Sequence, residues 1–145
     1  GANVILCGPR SLLPESFSQF VEAPPSGQKT DPINKRGSIV ISRSLKETLQ
    51  NSDAVMTLRL QKERMKKNHI TDLYRYHQDY GISHENLQWC KNKIPILHPG
   101  PVNRGIEISS GVLEDESISL IENQVTNGIP IRMALLYLIT SGRKI

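Results

Sequence analysis

Cysteine is almost missing from this chain: Cys7 and Cys90 are the only two among 145 residues. Two cysteines do not make a disulfide framework, so a reducing cytoplasm is the expected setting. Cys7 lies in an apolar run and reads as a small buried hydrophobe. Long apolar runs are lacking too. The longest, Met133 to Ile139, is far too short to span a bilayer, which excludes a membrane partner of that kind. The start, Gly1-Ala2-Asn3, has no Met and no basic region followed by an apolar core, so a fragment or processed chain without a signal peptide is expected. No Walker A, G-x-G-x-x-G or G-x-S-x-G pattern occurs, which removes P-loop, Rossmann and serine-hydrolase signatures. His69, His77, His84 and His98 do not fall at metal-ligand spacing with Cys7 or Cys90, so no metal is expected. The net charge of +4 needs no polyanion. Its densest basic run, Lys62 to Lys67, is broken by Glu63 and has no interleaved aromatics, so nucleic acid is not an expected partner.

What is present fits one α/β domain over residues 1–145. A chain of roughly 150 residues hides about two-thirds of its unfolded surface, enough for a real core. Asn3 to Cys7, Ser38 to Ser42, Ala54 to Leu58 and Ile94 to Leu97 read as four strands. Helices are expected at Leu12 to Phe20, from Ser44 with a Ser44/Glu47 capping box, at Gln61 to Lys67, Thr71 to Tyr80 and Ser83 to Lys91. Two more are expected, Glu114 to Val125 and Ile129 to Ile139, broken at Asn127-Gly128. Ala23 to Gly37, with three prolines, reads as a long loop. Strands alternating with helices predict an open, mostly parallel sheet with helices on both faces.

In such a sheet, ligands bind outside the carboxyl ends of the strands. Arg59 follows the third strand and is placed to grip an anion, most naturally a carboxylate, with two parallel hydrogen bonds. Its plainer role is a surface ion pair with Glu63, four positions on. Gln61 faces the same way if the strand extends, and an amide beside a cation suits an amino acid. After the fourth strand, His98-Pro99-Gly100-Pro101 makes a stiff turn able to present backbone carbonyls to an amide-bearing ligand; it also reads as simple loop punctuation. Arg104 and Arg132 add cations near loops.

The segments Thr57 to Arg64, His98 to Ile108 and Gln124 to Ala134 closely resemble the aspartate-binding domain of the aspartate carbamoyltransferases in order and separation. The likeness runs over most of the chain and is weakest from Ala23 to Gly37. The His-Pro-x-Pro form differs from the ornithine enzymes, which carry a cysteine in that loop. The resemblance implies transfer of a carbamoyl group from carbamoyl phosphate to the amine of L-aspartate, in pyrimidine synthesis, by a homotrimeric catalytic unit without metal or organic cofactor. By position, Arg59 and Gln61 would hold aspartate. Pro99 and Gly100 would accept from the carbamoyl amide, with His98, Pro101 and Arg104 in supporting positions and a cis bond before Pro101. Lys66 to Tyr80 would match a loop that closes over the substrates. The Ser-Thr-Arg-Thr motif of the carbamoyl-phosphate domain is absent, as is the domain's first strand and helix with the arginine for the second aspartate carboxylate. The chain is therefore expected to be the aspartate-binding part, inactive alone. The reading from another class is a non-catalytic amino-acid-binding or assembly module on the same fold.

Overall fold

A computed structural model describes residues 1–14, 16–17, 37–61 and 72–141. Its elements run β1 (Val4–Cys7), β2 (Ile39–Ser42), α1 (Leu45–Gln50), β3 (Val55–Met56), α2 (Leu73–Tyr80), α3 (His84–Leu87), β4 (Ile96–Leu97), α4 (Ser110–Glu114) and α5 (Ile121–Thr140). The four expected strands are all present, shortened at their ends, and every named pair is parallel. Of the Leu12 to Phe20 helix, the described residues form a turn, with Leu13 N–H donating to the Pro9 carbonyl, and a stretch of 3-10 helix at Ser16 and Phe17, where Phe17 N–H donates to that of Pro14. The Ala23 to Gly37 loop, apart from Gly37, and the Gln61 to Lys67 helix, apart from Gln61, lie outside the described residues.

Short side chains start the helices. Ser44 Oγ accepts from Glu47 N–H, Asp72 from Arg75 N–H, and Ser109 Oγ from Val112 N–H, each filling one of the donors a helix start leaves open. At α3 the box is reciprocal, with Ser83 and Asn86 capping each other's backbone.

The sheet is not continuous. β1 pairs with β2 from Val4↔Ile39 to Cys7↔Ser42, and β3 pairs separately with β4 through Val55↔Ile96 and Met56↔Leu97. Val4 and Gly8 donate toward β2, and Val55 and Thr57 toward β4. Strand alternation then turns the backbone groups of Ile5 and Cys7, and of Ala54 and Met56, to the opposite edges. Both edges border one cavity of about 340 Å³ between the two pairs. Burial raises the pKa of the half-buried Cys7 thiol, against a hydrogen bond from Thr48.

The core gathers around β4. Ile96 bonds the Ile118–Leu120 segment on its other side, its N–H to the Ile118 carbonyl at 2.8 Å and its carbonyl to Leu120 N–H at 2.9 Å. Leu49, Ile82, Ile108, Val112, Ile118 and Ile121 pack with it. This pairing corrects the expected Glu114 to Val125 helix. α4 ends at Glu114, Asp115 makes a turn, and the chain from Ile118 joins β4 before α5 begins. The break at Asn127-Gly128 is also absent: α5 runs on through Pro130. Gly128 keeps helical backbone, and among the described residues the left-handed conformation occurs only at Gly100 and Gly105. Large apolar side chains of α5 are more than half exposed, among them Ile129, Ile131, Met133, Leu136 and Ile139. Even so, no helix among the described residues is long and apolar enough to cross a membrane.

Candidate functional site

Because β3 and β4 are parallel neighbours, their carboxyl ends come out side by side. Thr57 extends the pairing, its N–H donating to the Leu97 carbonyl at 2.9 Å. Beyond it Leu58 and Arg59 are both exposed, Leu60 is buried and Gln61 is exposed. The buried Leu60 anchors the segment and leaves its two polar neighbours facing away from the core. Glu63, the alternative partner of Arg59, lies outside the described residues, as does the 66–71 part of the expected closing loop; the described part of that loop, Asp72 to Tyr80, is the cap and full length of α2, a helix.

The loop after β4 is held from inside by His98, which is fully buried. Its backbone N–H donates to Gln124 Oε1 of α5 at 2.8 Å. Its ring Nδ1 accepts from Gly100 N–H at 2.8 Å, which places the ring proton on Nε2, 3.3 Å from Glu107 Oε1. The ring thus folds Pro99 over into a tight turn. Gly100 has φ +71°, and the Gly100–Pro101 peptide is cis, as the resemblance implied. Among the described residues no donor reaches the Pro99 or Gly100 carbonyl, so both acceptors are available. Pro99 and Pro101 are exposed and Gly100 is half-buried.

One bond ties the two strand tips together. Asn103 Nδ2 donates to the Leu60 carbonyl at 3.0 Å, while Asn103 N–H donates to Glu107 Oε1 at 2.6 Å. Arg59, Gln61 and the His98–Pro101 turn therefore share one end of the β3–β4 pair. Arg59 borders the cavity between the sheets together with Leu60, Tyr76 and Glu107; Gln61, Pro99 and Gly100 do not. Burial, and then the Glu107 carboxylate, push the Tyr76 hydroxyl up to about 12, so it stays protonated as a donor. Arg104 pairs instead with Glu114 of α4, on the surface. Arg132 lies exposed on α5. Among the described residues no group of three His, Cys, Asp or Glu side chains is placed to hold a metal ion.

Sequence reasoning passed over Glu107, Asn103 and Gln124 as individual site residues. A signal for Glu107 was there, since a carboxylate between Ile106 and Ile108 is out of keeping with a buried run.

Residues 1–139 match the family model described as "Aspartate/ornithine carbamoyltransferase, Asp/Orn binding domain". An aspartate carbamoyltransferase catalytic subunit from Prochlorococcus marinus is 68% identical over 143 residues, 99% of this chain and 42% of that protein. The chain thus spans under half the length of the curated relatives it matches. Among solved structures, the Trypanosoma cruzi aspartate transcarbamoylase in complex with carbamoyl phosphate and aspartate aligns with a TM-score of 0.65 at 26% identity, over 94% of this chain and 40% of that one. The Pyrococcus furiosus ornithine carbamoyltransferase shares the fold, with a TM-score of 0.65 at 17% identity over 99% of this chain and 51% of that one. On its sequence and its fold, this chain belongs to the aspartate/ornithine carbamoyltransferase family and carries that family's amino-acid-binding domain.

Proposed function

We propose that the chain is the aspartate-binding domain of an aspartate carbamoyltransferase catalytic chain, working in the cytoplasm in de novo pyrimidine synthesis. The parent transfers a carbamoyl group from carbamoyl phosphate to the amine of L-aspartate, giving N-carbamoyl-L-aspartate and phosphate, and assembles as a homotrimer. The observation that carries this reading is the pairing of the Arg59–Gln61 tip with the His98–Pro101 turn at one end of β3 and β4, joined by the Asn103 bond to Leu60.

The chemistry suits that pairing. Arg59 offers a planar fork to a carboxylate, and Gln61 can accept from an ammonium or donate to a carboxylate. The Pro99 and Gly100 carbonyls can accept from the carbamoyl N–H groups. Holding two substrates in line supplies much of the rate in such a transfer, and donors for the developing oxyanion supply more. The carbamoyl-phosphate domain, those donors and the second carboxylate's arginine belong to further polypeptide in this reading. The edges of β1 and β3 around one cavity, unpaired among the described residues, support it, because a sheet interior leaves no such edges.

Arg59→Ala in the full-length enzyme tests the assignment. Losing a charge-assisted hydrogen bond worth roughly 1.5–3 kcal/mol should raise the aspartate KM by about 10- to 150-fold. An unchanged aspartate KM refutes it. The 145-residue chain alone should form no carbamoylaspartate from the two substrates; measurable product would overturn its role as a part.

A further inference from the structure

The buried carboxylate beneath the two strand tips serves neither surface nor core. Glu107 is 2% exposed. Its Oε1 takes two donors, His98 Nε2–H and Asn103 N–H, while its Oε2 is buried without a donor among the described residues. Burying a carboxylate oxygen with no hydrogen bond is destabilising, and an apolar side chain of similar volume avoids that cost. Packing alone does not account for a glutamate here, but what it holds does.

Four hydrogen bonds in two arms lead from Glu107 toward the site. Through the His98 ring, whose Nδ1 accepts from Gly100 N–H, it fixes the turn that presents the Pro99 and Gly100 carbonyls. Through the Asn103 backbone it fixes that residue, whose side chain donates to the Leu60 carbonyl, between Arg59 and Gln61. One carboxylate thereby sets the spacing between the acceptors for one substrate and the cation for the other.

We propose that Glu107 is a positioning residue for the transfer, acting through His98 on the carbonyl turn and through Asn103 on the Arg59–Gln61 tip. The proposal rests on the reading of Arg59 and Gln61 as substrate-binding residues. It separates the two arms. Cutting the Asn103 arm misplaces the Arg59 side only, whereas cutting at Glu107 loosens both.

The test is steady-state kinetics on the full-length enzyme with Asn103→Ala, Glu107→Leu, Glu107→Gln and their double variants, with Arg59→Ala as reference. Asn103 is only half-buried, so its truncation leaves the core intact. Misplacement of a binding group by about 1 Å can cost roughly a hundredfold, and one lost hydrogen bond several-fold, so Asn103→Ala should raise the aspartate KM by about tenfold. The carbamoyl phosphate KM should stay within about twofold of wild type in that variant, because the His98 arm survives. Glu107→Leu should raise both KM values, and adding Asn103→Ala to it should worsen the aspartate KM by less than about twofold, the mark of one shared path. Glu107→Gln keeps an acceptor oxygen for both donors and should restore most of the loss.

An aspartate KM unmoved by Asn103→Ala, while Arg59→Ala raises it, overturns the proposal and leaves the site reading standing. If Arg59→Ala is also without effect, both fall. Should Glu107→Leu fail to fold, the Asn103→Ala comparison still decides.

Discussion

Replacing Gly100 with alanine probes the turn that carries the two carbonyls. The residue has φ +71°, and an added Cβ would lie 3.2 Å from Val125 Cγ2 on α5. Two opposing terms set the outcome. In the unfolded chain, alanine has fewer states than glycine, which at a compatible site stabilises by about 0.4–1 kcal/mol. In the folded chain, the left-handed conformation costs an L-residue with a Cβ about 1–2 kcal/mol. The backbone terms alone leave a loss of up to about 1.5 kcal/mol, and the Val125 contact adds to it, since overpacking costs typically about 1–3 kcal/mol. The total expected is about 1–4.5 kcal/mol. Urea unfolding of Gly100→Ala, Val125→Ala and the double variant separates the terms: Val125→Ala should recover the steric part and leave the backbone part. The aspartate KM should move less than the carbamoyl phosphate KM, because the Asn103 bond to Leu60 does not pass through Gly100. A Gly100→Ala variant as stable as wild type or more so would refute the turn geometry, since only a glycine with ordinary φ and free space behaves that way.

Ile96 is fully buried in a strand paired on both sides, so Ile96→Ala should destabilise by about 2–5 kcal/mol in thermal or urea unfolding, more than any single capping change. Asp115 accepts from Ser117 and sits 3.0 Å from His84 Nε2; these bonds, Ser117's first, hold its pKa down at about 2 from an ordinary 3.8. Its contribution is therefore complete above about pH 4 and disappears as the pH falls through about 2. Ser117→Ala should lose stability at neutral pH, and the gap to wild type should close by about pH 2 in acid-unfolding titrations. The exposed apolar side chains of α5 predict that the purified chain self-associates, read as a concentration-dependent mass in light scattering. A monomer with α5 helical across the concentration range would contradict that.

Local chemistry carried most of this fold into view. Each strand is centred on an apolar run, and two of the expected helix starts follow a serine, Ser44 or Ser83, that caps them in the structure, whereas α4 after Ser109 is not among the expected helices. The errors come where a distant partner decides. Asp115 to Leu120 has helix-compatible residues, but Ile118 and Leu120 find the free side of β4, and a pairing that fills a buried backbone overrides weak propensity. Asn127-Gly128 is a standard turn signal, yet nothing in α5 pulls it out of the helix. The division of the sheet was invisible for the same reason, since pairing partners are not written in either strand of a pair. Arg59, Gln61, Pro99 and Gly100 could be put forward because strand tips are where ligands sit; for Glu107 the sequence shows only a carboxylate out of place between two isoleucines, and what it holds depends on which groups fold down onto it.

Three features of the described residues look unfavourable when taken alone: two unpaired strand edges around a cavity, a twenty-residue helix with apolar side chains facing outward, and a buried carboxylate oxygen without a donor. A self-sufficient domain of this size has no margin for all three, given a net stability of only about 5–15 kcal/mol. The first two share one explanation under the proposed function. In a chain more than twice as long, an added strand satisfies the edges and another domain covers α5. The Glu107 oxygen is different in kind. Its Oε1 donors come from within residues 98–107, so its role in spacing the two tips holds with or without the rest of the enzyme. Stability and function therefore separate in this chain. The edges and α5 concern assembly, and restoring their partners should raise the unfolding midpoint while leaving the spacing between the strand tips unchanged. The Glu107 network concerns geometry, and breaking it should degrade substrate affinity even in the fully assembled enzyme.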